Sequence, residues 1–270
     1  MKLKFFKCDW GMEHLGEPLT RLQTYKEAGY DGIECANIGM DPEPFADACD
    51  ELGLEYIAMM FCATEEDFRR QLVQVQRTRP VLVNCHPGRD HYDFERGCAF
   101  FRSVMSMAAD SGLEVVYETH RTRCLYAPWT TARYLEAIPE LRICADLSHF
   151  TTVAENPLSD GLYRSFMDIA IARTDHIHAR VGHLHGPQVS DPRIGEGLRW
   201  TEHFEAWWDA IIEARLAEGR EIMTVNPELG PPAYQPTHPV TGEPLSDIWE
   251  CCQFIVERFR ERWAGRVELS

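Results

Sequence analysis

The chain has 270 residues, of which 44% are hydrophobic and 26% are charged, so its composition is that of an ordinary globular protein. Its 43 acidic and 27 basic side chains give a formal charge of −16, which repels a phosphate backbone and argues against nucleic acid as a partner. No apolar stretch approaches the roughly 20 residues that cross a bilayer, and we recognise no secretory leader. We therefore expect no membrane partner and a cytoplasmic location.

The cysteines agree with a reducing compartment. There are ten of them, and none forms a C-x-x-C pair of the kind that binds zinc or carries redox chemistry. Several stand in or beside short apolar runs, where a thiol packs as a small hydrophobic group. These are Cys8, Cys35, Cys62, Cys85 and Cys144.

Strand-like and helix-like segments alternate along the whole chain. Eight short runs rich in Val, Ile, Phe and Tyr predict strands: Leu3 to Cys8, Gly32 to Cys35, Glu55 to Phe61, Val81 to Cys85, Glu114 to Glu118, Arg142 to Asp146, His176 to Val181 and Glu221 to Val225. Segments of helical period follow them: Pro18 to Ala28, Phe45 to Leu52, Glu65 to Gln76, Phe94 to Ser111, Trp129 to Ile138, Tyr163 to Ala172, Thr201 to Ala217 and Asp247 to Trp263. Eight such repeats predict a (β/α)₈ TIM barrel of the α/β class.

Glycines support the register of this prediction. Gly29, Gly53, Gly112 and Gly219 each follow the last periodic residue of a predicted helix, where a left-handed cap is expected. An open doubly wound sheet would show the same alternation, but no glycine fingerprint follows the first strand. We predict one domain over residues 1–270, with long functional loops from Val181 to Arg199 and from Gly230 to Pro244.

Polar side chains stand at the ends of five consecutive strands. In a TIM barrel these ends, and the loops after them, form the active-site face. The strand-end residues are His86, Glu118, Asp146, His178 and Glu228. Three carboxylates gathered in a partly desolvated pocket repel one another, and a divalent cation removes that repulsion. Three carboxylates and one imidazole suit one Mn²⁺, Mg²⁺ or Co²⁺ ion, and Zn²⁺ is an alternative.

These strand ends resemble those of the xylose isomerase-like barrels. That family includes ketose 3-epimerases, inosose dehydratases, sugar-phosphate isomerase/epimerase homologues and endonuclease IV, and the resemblance covers essentially the whole chain. It implies four metal ligands: Glu118, Asp146, His178 and Glu228. It also directs His149, in the pattern Asp-x-x-His, at the substrate.

The chain departs from the nuclease branch of this family at two places. His86 and Asp191 resemble residues that bind further metals in that branch. However, the third strand ends in Met59-Met60-Phe61-Cys62 with no histidine, and Arg193 stands two residues after Asp191. A guanidinium does not ligate a cation but can clamp a substrate oxygen. The sequence thus favours one metal ion over three and carbohydrate chemistry over a nuclease.

The expected activity is isomerisation or epimerisation of a sugar or sugar phosphate through an enediolate. Glu118 and Glu228 form the acid/base pair, and His149 polarises or protonates the carbonyl oxygen. Two alternatives remain open: dehydration of a keto-sugar or cyclitol at the same site, and a barrel that binds a sugar without catalysis. The sequence leaves the substrate, its phosphorylation and homo-oligomer formation undecided.

Further substrate contacts are expected around the metal. Arg180 shares a strand face with His178, and Arg121 and Arg193 lie in the loops. Trp10 and Phe61 end the first and third strands, where they can form an apolar wall for a sugar ring. With His86 and Asp191, these residues make up the predicted substrate-binding set.

Overall fold

The chain folds as a closed barrel of parallel strands. The structure is a computed structural model that describes residues 1–269, with every side chain among them except that of Leu162. The barrel strands are β1 (Lys2–Cys8), β2 (Gly32–Cys35), β3 (Glu55–Cys62), β4 (Leu82–Pro87), β5 (Val115–Glu118), β6 (Ile143–Ala145), β7 (Thr174–His178) and β8 (Ile222–Asn226). Each strand pairs in parallel with its neighbour in the chain, and β1 pairs with both β2 and β8, which closes the ring.

Nine α-helices within the described residues follow the strands. They are α1 (Pro18–Glu27), α2 (Pro42–Leu52), α3 (Glu65–Gln76), α4 (Phe94–Ser111), α5 (Pro128–Ala137), α6 (Ser148–Ala154), α7 (Gly161–Ile171), α8 (Gly195–Ala217) and α9 (Ile248–Trp263). A two-residue strand, β9 (Glu268–Leu269), adds to β1 outside the ring. None of these helices is both long enough and apolar enough to cross a membrane.

The predicted TIM barrel is confirmed, and so are the predicted glycine caps after four of its helices. Gly29, Gly53, Gly112 and Gly219 adopt φ angles of +80°, +61°, +73° and +75°, a left-handed backbone that side chains disfavour. The chain therefore turns from helix to strand where the sequence predicts it.

Two features differ from the sequence prediction. Helix α6 is new: it has only seven residues, too few for a clear period, and its start is fixed because Ser148 N donates to Asp146 Oδ1. Helix α8 begins at Gly195 rather than at Thr201. The glycines there suggested a loop. Instead, Gly197 lies within the helix and allows close packing, since a Cβ at this position would lie 1.9 Å from the carbonyl oxygen of Asp191.

The interior of the barrel changes from apolar to polar toward the carboxyl ends of the strands. A small apolar cluster fills the middle of the ring: Phe6, Ile57, Leu82, Val116 and Cys144. Because side chains two residues apart on a strand share a face, the next inward positions lie one layer closer to the carboxyl ends. On β4 and β5 these positions hold Asn84 and Glu118, and directly after β6 the corresponding position holds Asp146. The apolar layer thus lies beneath a polar layer at the carboxyl-terminal opening of the barrel, which we call the mouth.

Candidate metal centre

Four side chains from consecutive strands meet at the carboxyl end of the barrel. Glu118 is the last residue of β5, Asp146 directly follows β6, His178 ends β7, and Glu228 stands two residues after β8. One donor atom from each lies within 4.8 Å of the others, and all four residues are buried. The structure therefore brings together the four residues that the sequence nominates as ligands.

The centre holds more negative than positive charge. Arg180 is buried between two of the carboxylates: its Nε donates to Asp146 Oδ2 at 2.9 Å, and its Nη2 lies 2.6 Å from Glu228 Oε1. Burial opposes the charge of Arg180, but Glu228 and Asp146 raise its pKa further above the usual range. One guanidinium thus contacts two of the three carboxylates, Asp146 and Glu228, and none contacts Glu118 among the described ion pairs.

The pKa values of the carboxyl groups reflect this imbalance. Burial raises the pKa of Asp146 to about 6, and the charges of Glu228 and Glu118 add to the shift against the opposing charge of Arg180. Burial alone would also raise the pKa of Glu228, but Arg180 and His178 hold it at about 2. A proton on Asp146 therefore relieves part of the repulsion when no cation is bound, and so does a second proton on His178, whose pKa the neighbouring acidic groups raise against the effect of burial.

Two donor atoms in the centre have no hydrogen-bond partner among the described residues. His178 Nδ1 and Glu228 Oε2 lie 2.6 Å apart, yet their angles are not those of a hydrogen bond. Buried polar atoms are rarely left unpaired, and here both lie among the four converging donors. Oxygen donors with a single nitrogen are a suitable set for a divalent metal ion, so the residues fit such an ion.

Glu34 supports this centre from below and was missed by the sequence reasoning. It lies on β2, is fully buried, and accepts hydrogen bonds from both His176 and His178. Asn84 and Asn226 also donate to it. The alternation of side chains along a strand would have identified the two asparagines. Each stands two residues before a polar strand-end residue and therefore lies on the same face of the strand. A charged residue inside the apolar run of β2 was the available signal for Glu34.

Three imidazole rings lie beside the centre. His86 Nε2 is 2.9 Å from Glu118 Oε2, and His149 Nε2 is 3.5 Å from Asp146 Oδ2. The ring of His120 lies 4.8 Å from that of His86 and 4.0 Å from that of His149. Burial lowers the pKa of His120 to about 3, with the charge of His86 acting in the same direction, and it lowers the pKa of His149 well below the usual range. His120 and His149 are therefore neutral near pH 7.

A cavity of about 320 Å³ opens above the centre. Its lining includes the polar residues Glu228, Arg180, His86 and His120 and the apolar residues Trp10, Phe61 and Met59. Trp10 and Phe61 are 40% and 45% exposed, so both side chains present accessible apolar surface beside the cavity that they line.

Tyr234 is a further lining residue that the sequence reasoning missed. It lies in the predicted functional loop after β8, and its hydroxyl is 3.3 Å from His120 Nε2. Its ring packs edge-on against Trp10 with the centroids 5.1 Å apart. That loop approaches Trp10 closely because Gly230 has no side chain, since a Cβ would lie 2.3 Å from the indole ring.

The remaining predicted substrate contacts divide into two groups. His86, Arg180, Trp10 and Phe61 line the cavity. Arg121 does not, because its guanidinium lies over the ring of Tyr234, 5.2 Å from the centroid.

Asp191 and Arg193 are also not brought to the cavity. Arg193 Nη2 lies 2.9 Å from Asp191 Oδ2, and its Nη1 lies 2.7 Å from Glu250 Oε2 on α9. Both side chains are thus used to tie the loop after β7 to the last helix. A spacing of two residues permits this pairing, which sequence alone does not distinguish from a substrate clamp.

An eight-stranded parallel barrel with this donor set at its carboxyl end defines the class of the protein as a TIM barrel with a candidate metal centre. A family model described as "Xylose isomerase-like TIM barrel" matches residues 22–211, more than half of the sequence, and the chain belongs to that family. No curated protein matches it.

Solved structures with the same fold include proteins with different described activities. The probable 3-DHS dehydratase AsbF from Bacillus anthracis has a TM-score of 0.63 at 12% identity, over 96% of this chain and 99% of that chain. A sugar phosphate isomerase/epimerase from Parabacteroides distasonis has a TM-score of 0.62 at 11% identity, over 99% and 96%. A xylose isomerase-like barrel from Mycobacterium smegmatis, in complex with magnesium, has a TM-score of 0.56 at 11% identity, over 91% and 89%. At these identities the similarity shows the fold alone.

Proposed function

We propose that the protein is a divalent-metal-dependent isomerase or epimerase of a sugar or sugar phosphate. The observation that carries the proposal is the convergence of four donor atoms within 4.8 Å, where Arg180 is the cation in contact with the carboxylates. Oxygen-rich donors favour Mn²⁺, Mg²⁺ or Co²⁺, with Zn²⁺ as the alternative.

We propose one ion rather than two on grounds of charge. Arg180 and one divalent ion supply three positive charges, which equals the number of carboxylates among the ligands. His86, Glu118 and His120 form a second group of donors within 4.8 Å. Glu34 is a fourth buried carboxylate beneath the centre, so Arg180 and two divalent ions would bring five positive charges against four negative ones, an excess that is unfavourable in a buried site without further anions.

An ion bound at this centre would hold the carbonyl and adjacent hydroxyl oxygens of a ketose and stabilise the charge of the enediolate. Glu228 lines the cavity from β8, and Glu118 on β5 is buried directly behind the lining residue His86, 2.9 Å from its Nε2. The two strands are separated by two others on one side of the ring and by four on the other. One carboxylate removes the proton next to the carbonyl, and the other returns a proton from the opposite face, which inverts the carbon. The configuration of the substrate decides which glutamate is the base.

Neighbouring residues complete the proposed active site. His149, neutral and buried beside Asp146, is assigned to the carbonyl oxygen as a hydrogen-bond donor. His86 and Arg180 provide polar contacts, while Trp10 and Phe61 provide an apolar wall for the C–H face of a ring. A cavity of about 320 Å³ is of the size found for small-molecule sites and suits a monosaccharide.

Dehydration of a keto-sugar or cyclitol is the second candidate. It needs a group that protonates the departing β-hydroxyl in addition to the base that removes the α-proton. Tyr234 lines the same cavity as Glu228 and supplies such a group, because burial raises the pKa of its phenol and keeps the hydroxyl protonated. The similarity in fold to a probable 3-DHS dehydratase is compatible with this chemistry.

Solvent isotope exchange tests the proposal. The Mn²⁺-loaded protein is incubated in D₂O with a panel of free and phosphorylated ketoses, and the products are followed by NMR. An isomerase or epimerase introduces deuterium at the carbon next to the carbonyl. Formation of an enone absorbance without exchange into recovered ketose would support the dehydratase instead. A protein that binds a ketose but causes neither change would contradict catalysis and leave a sugar-binding barrel.

A further inference from the structure

Glu34 makes an unusual set of contacts for a carboxylate at the centre of a barrel. Oε1 accepts from Asn84 Nδ2 at 3.0 Å and lies 2.9 Å from His178 Nε2. Oε2 accepts from Asn226 Nδ2 at 2.7 Å and lies 2.9 Å from His176 Nε2. Each oxygen thus faces two nitrogen donors, although the side chain is completely buried. Glu34 touches neither the cavity nor a candidate donor atom of the three carboxylate ligands.

The contact with His178 determines which ring nitrogen faces the metal centre. An ionised carboxylate can only accept hydrogen bonds, so His178 Nε2 must carry a hydrogen toward Glu34. The lone pair that can bind a cation is then on Nδ1, which lies 2.6 Å from Glu228 Oε2 and 3.6 Å from Glu118 Oε2. Without this anchor, Asn84 Nδ2, a donor 3.2 Å from the same ring nitrogen, favours the tautomer with hydrogen on Nδ1.

Asn84 extends the same control to a second ligand. Its Nδ2 donates to Glu34 at 3.0 Å and to Glu118 Oε2 at 2.7 Å, so one amide joins the two carboxylates. Glu34 therefore positions a nitrogen ligand directly and an oxygen ligand through one intermediate.

We propose that Glu34 is the positioning residue of the centre: it fixes His178 as an Nδ1 ligand, holds Glu118 through Asn84, and thereby sets the affinity for a divalent ion. This inference depends on the proposed metal centre. Glutamine does not replace Glu34 even though it has the same shape, since its amide nitrogen accepts no hydrogen bond. Turned toward Asn84 and His178, that nitrogen meets two donors and favours the tautomer with hydrogen on Nδ1, which removes the ligand. Turned the other way, it leaves Asn226 without its acceptor.

The test compares Glu34→Gln with Glu205→Gln. Glu205 is also a buried carboxylate, paired with Arg258 and Arg262 on α9, and it lies outside the barrel. Mn²⁺ binding to metal-free protein is measured by calorimetry, and thermal unfolding of the same samples is followed by circular dichroism. We expect Glu34→Gln to weaken Mn²⁺ binding about 10- to 100-fold, the range typical of residues that orient metal ligands. Glu205→Gln should lower Tm and leave the Kd within about 2-fold, because it removes a buried ion pair far from the centre.

The outcomes separate this inference from the metal centre itself. Wild-type protein that binds no Mn²⁺ overturns the centre and the role of Glu34 with it. Wild-type protein that binds Mn²⁺ while Glu34→Gln binds equally well overturns only the role of Glu34. NMR of the Zn²⁺-loaded wild type gives a test that needs no variant: we expect ¹⁵N shifts for zinc on Nδ1 of His178 and a hydrogen on Nε2. The reverse assignment would refute the proposal.

Discussion

The two ends of the barrel differ in the balance between carboxylate and guanidinium groups. At the amino-terminal end, Asp175 is surrounded by three guanidinium groups: those of Arg142, Arg215 and Arg220, at 2.6, 3.3 and 2.9 Å. At the carboxyl-terminal mouth, two of the three carboxylates of the candidate centre, Asp146 and Glu228, contact the single guanidinium of Arg180, and Glu118 contacts His86 instead. The first network has abundant positive charge and is explained by stability alone. The second lacks positive charge, so it is the end at which a metal cation is expected to bind.

The largest effect should come from removing one mouth carboxylate. Glu118→Gln and Glu228→Gln should each lower kcat/KM by about 1000-fold, because each glutamate is proposed both to bind the ion and to transfer a proton. Steady-state kinetics on the substrate identified by isotope exchange would measure this. Retention of a near-normal rate by either variant would exclude the two-base mechanism.

Asp175→Asn is the matched control at the other end. It removes one of the two carboxylate partners of the buried Arg215, the other being Glu218, and should lower the free energy of unfolding by about 3 kcal/mol. At a temperature where it remains folded, kcat/KM should stay within about 3-fold of wild type. A large loss of rate in a folded sample would mean that the two ends are not independent.

The pH dependence of stability should distinguish the metal-free from the metal-loaded protein. The pKa of Asp146 is raised in the folded state, to about 6, so the folded state holds its proton more tightly than the unfolded chain does. The contribution of Asp146 to stability is therefore present at low pH and is lost as pH rises from about 4 through about 6. Bound Mn²⁺ should reverse this trend, because the ion competes with that proton.

Urea titrations at pH 5 and pH 7.5, with EDTA or with Mn²⁺, measure this difference. Asp146→Asn serves as the control, since it should remove the Asp146 component in the EDTA series. The same pH trend with and without Mn²⁺ would show that the ion does not bind through Asp146.

The smallest effect is expected at Arg193. Because its guanidinium is paired with Asp191 and Glu250 outside the cavity, Arg193→Gln should change kcat/KM by less than about 3-fold. Steady-state kinetics on the same substrate would measure this small change. A loss of substrate affinity by about 10-fold or more would return Arg193 to the substrate-binding set and show that the loop after β7 moves when substrate binds.

Much of the fold could be predicted because each βα unit repeats the same pattern of alternation and punctuation. The differences arise where a short-range signal was ambiguous. Gly197 looked like a loop residue, whereas the structure uses its lack of a side chain to pack α8 against Asp191. Helix α6 has too few residues to show a period.

The candidate site likewise has residues that the sequence predicts and residues that it does not. The four nominated ligands share one property that sequence reveals, a polar side chain at the end of a predicted strand. Glu34 supports them from a different strand, and which distant residues it meets depends on the closure of the barrel. Asp191 and Arg193 are the opposite case, because they were predicted to contact substrate and instead form an ion pair with each other. Their residue types and their spacing of two residues are compatible with either role.

Calorimetric titration of metal-free protein with Mn²⁺ tests the central claim most directly. The account predicts one ion per chain for the wild type and at least about 10-fold weaker binding for Glu228→Gln, with Asp175→Asn unchanged. Absence of binding by the wild type, or equal binding by Glu228→Gln, would contradict a metal centre formed by Glu118, Asp146, His178 and Glu228.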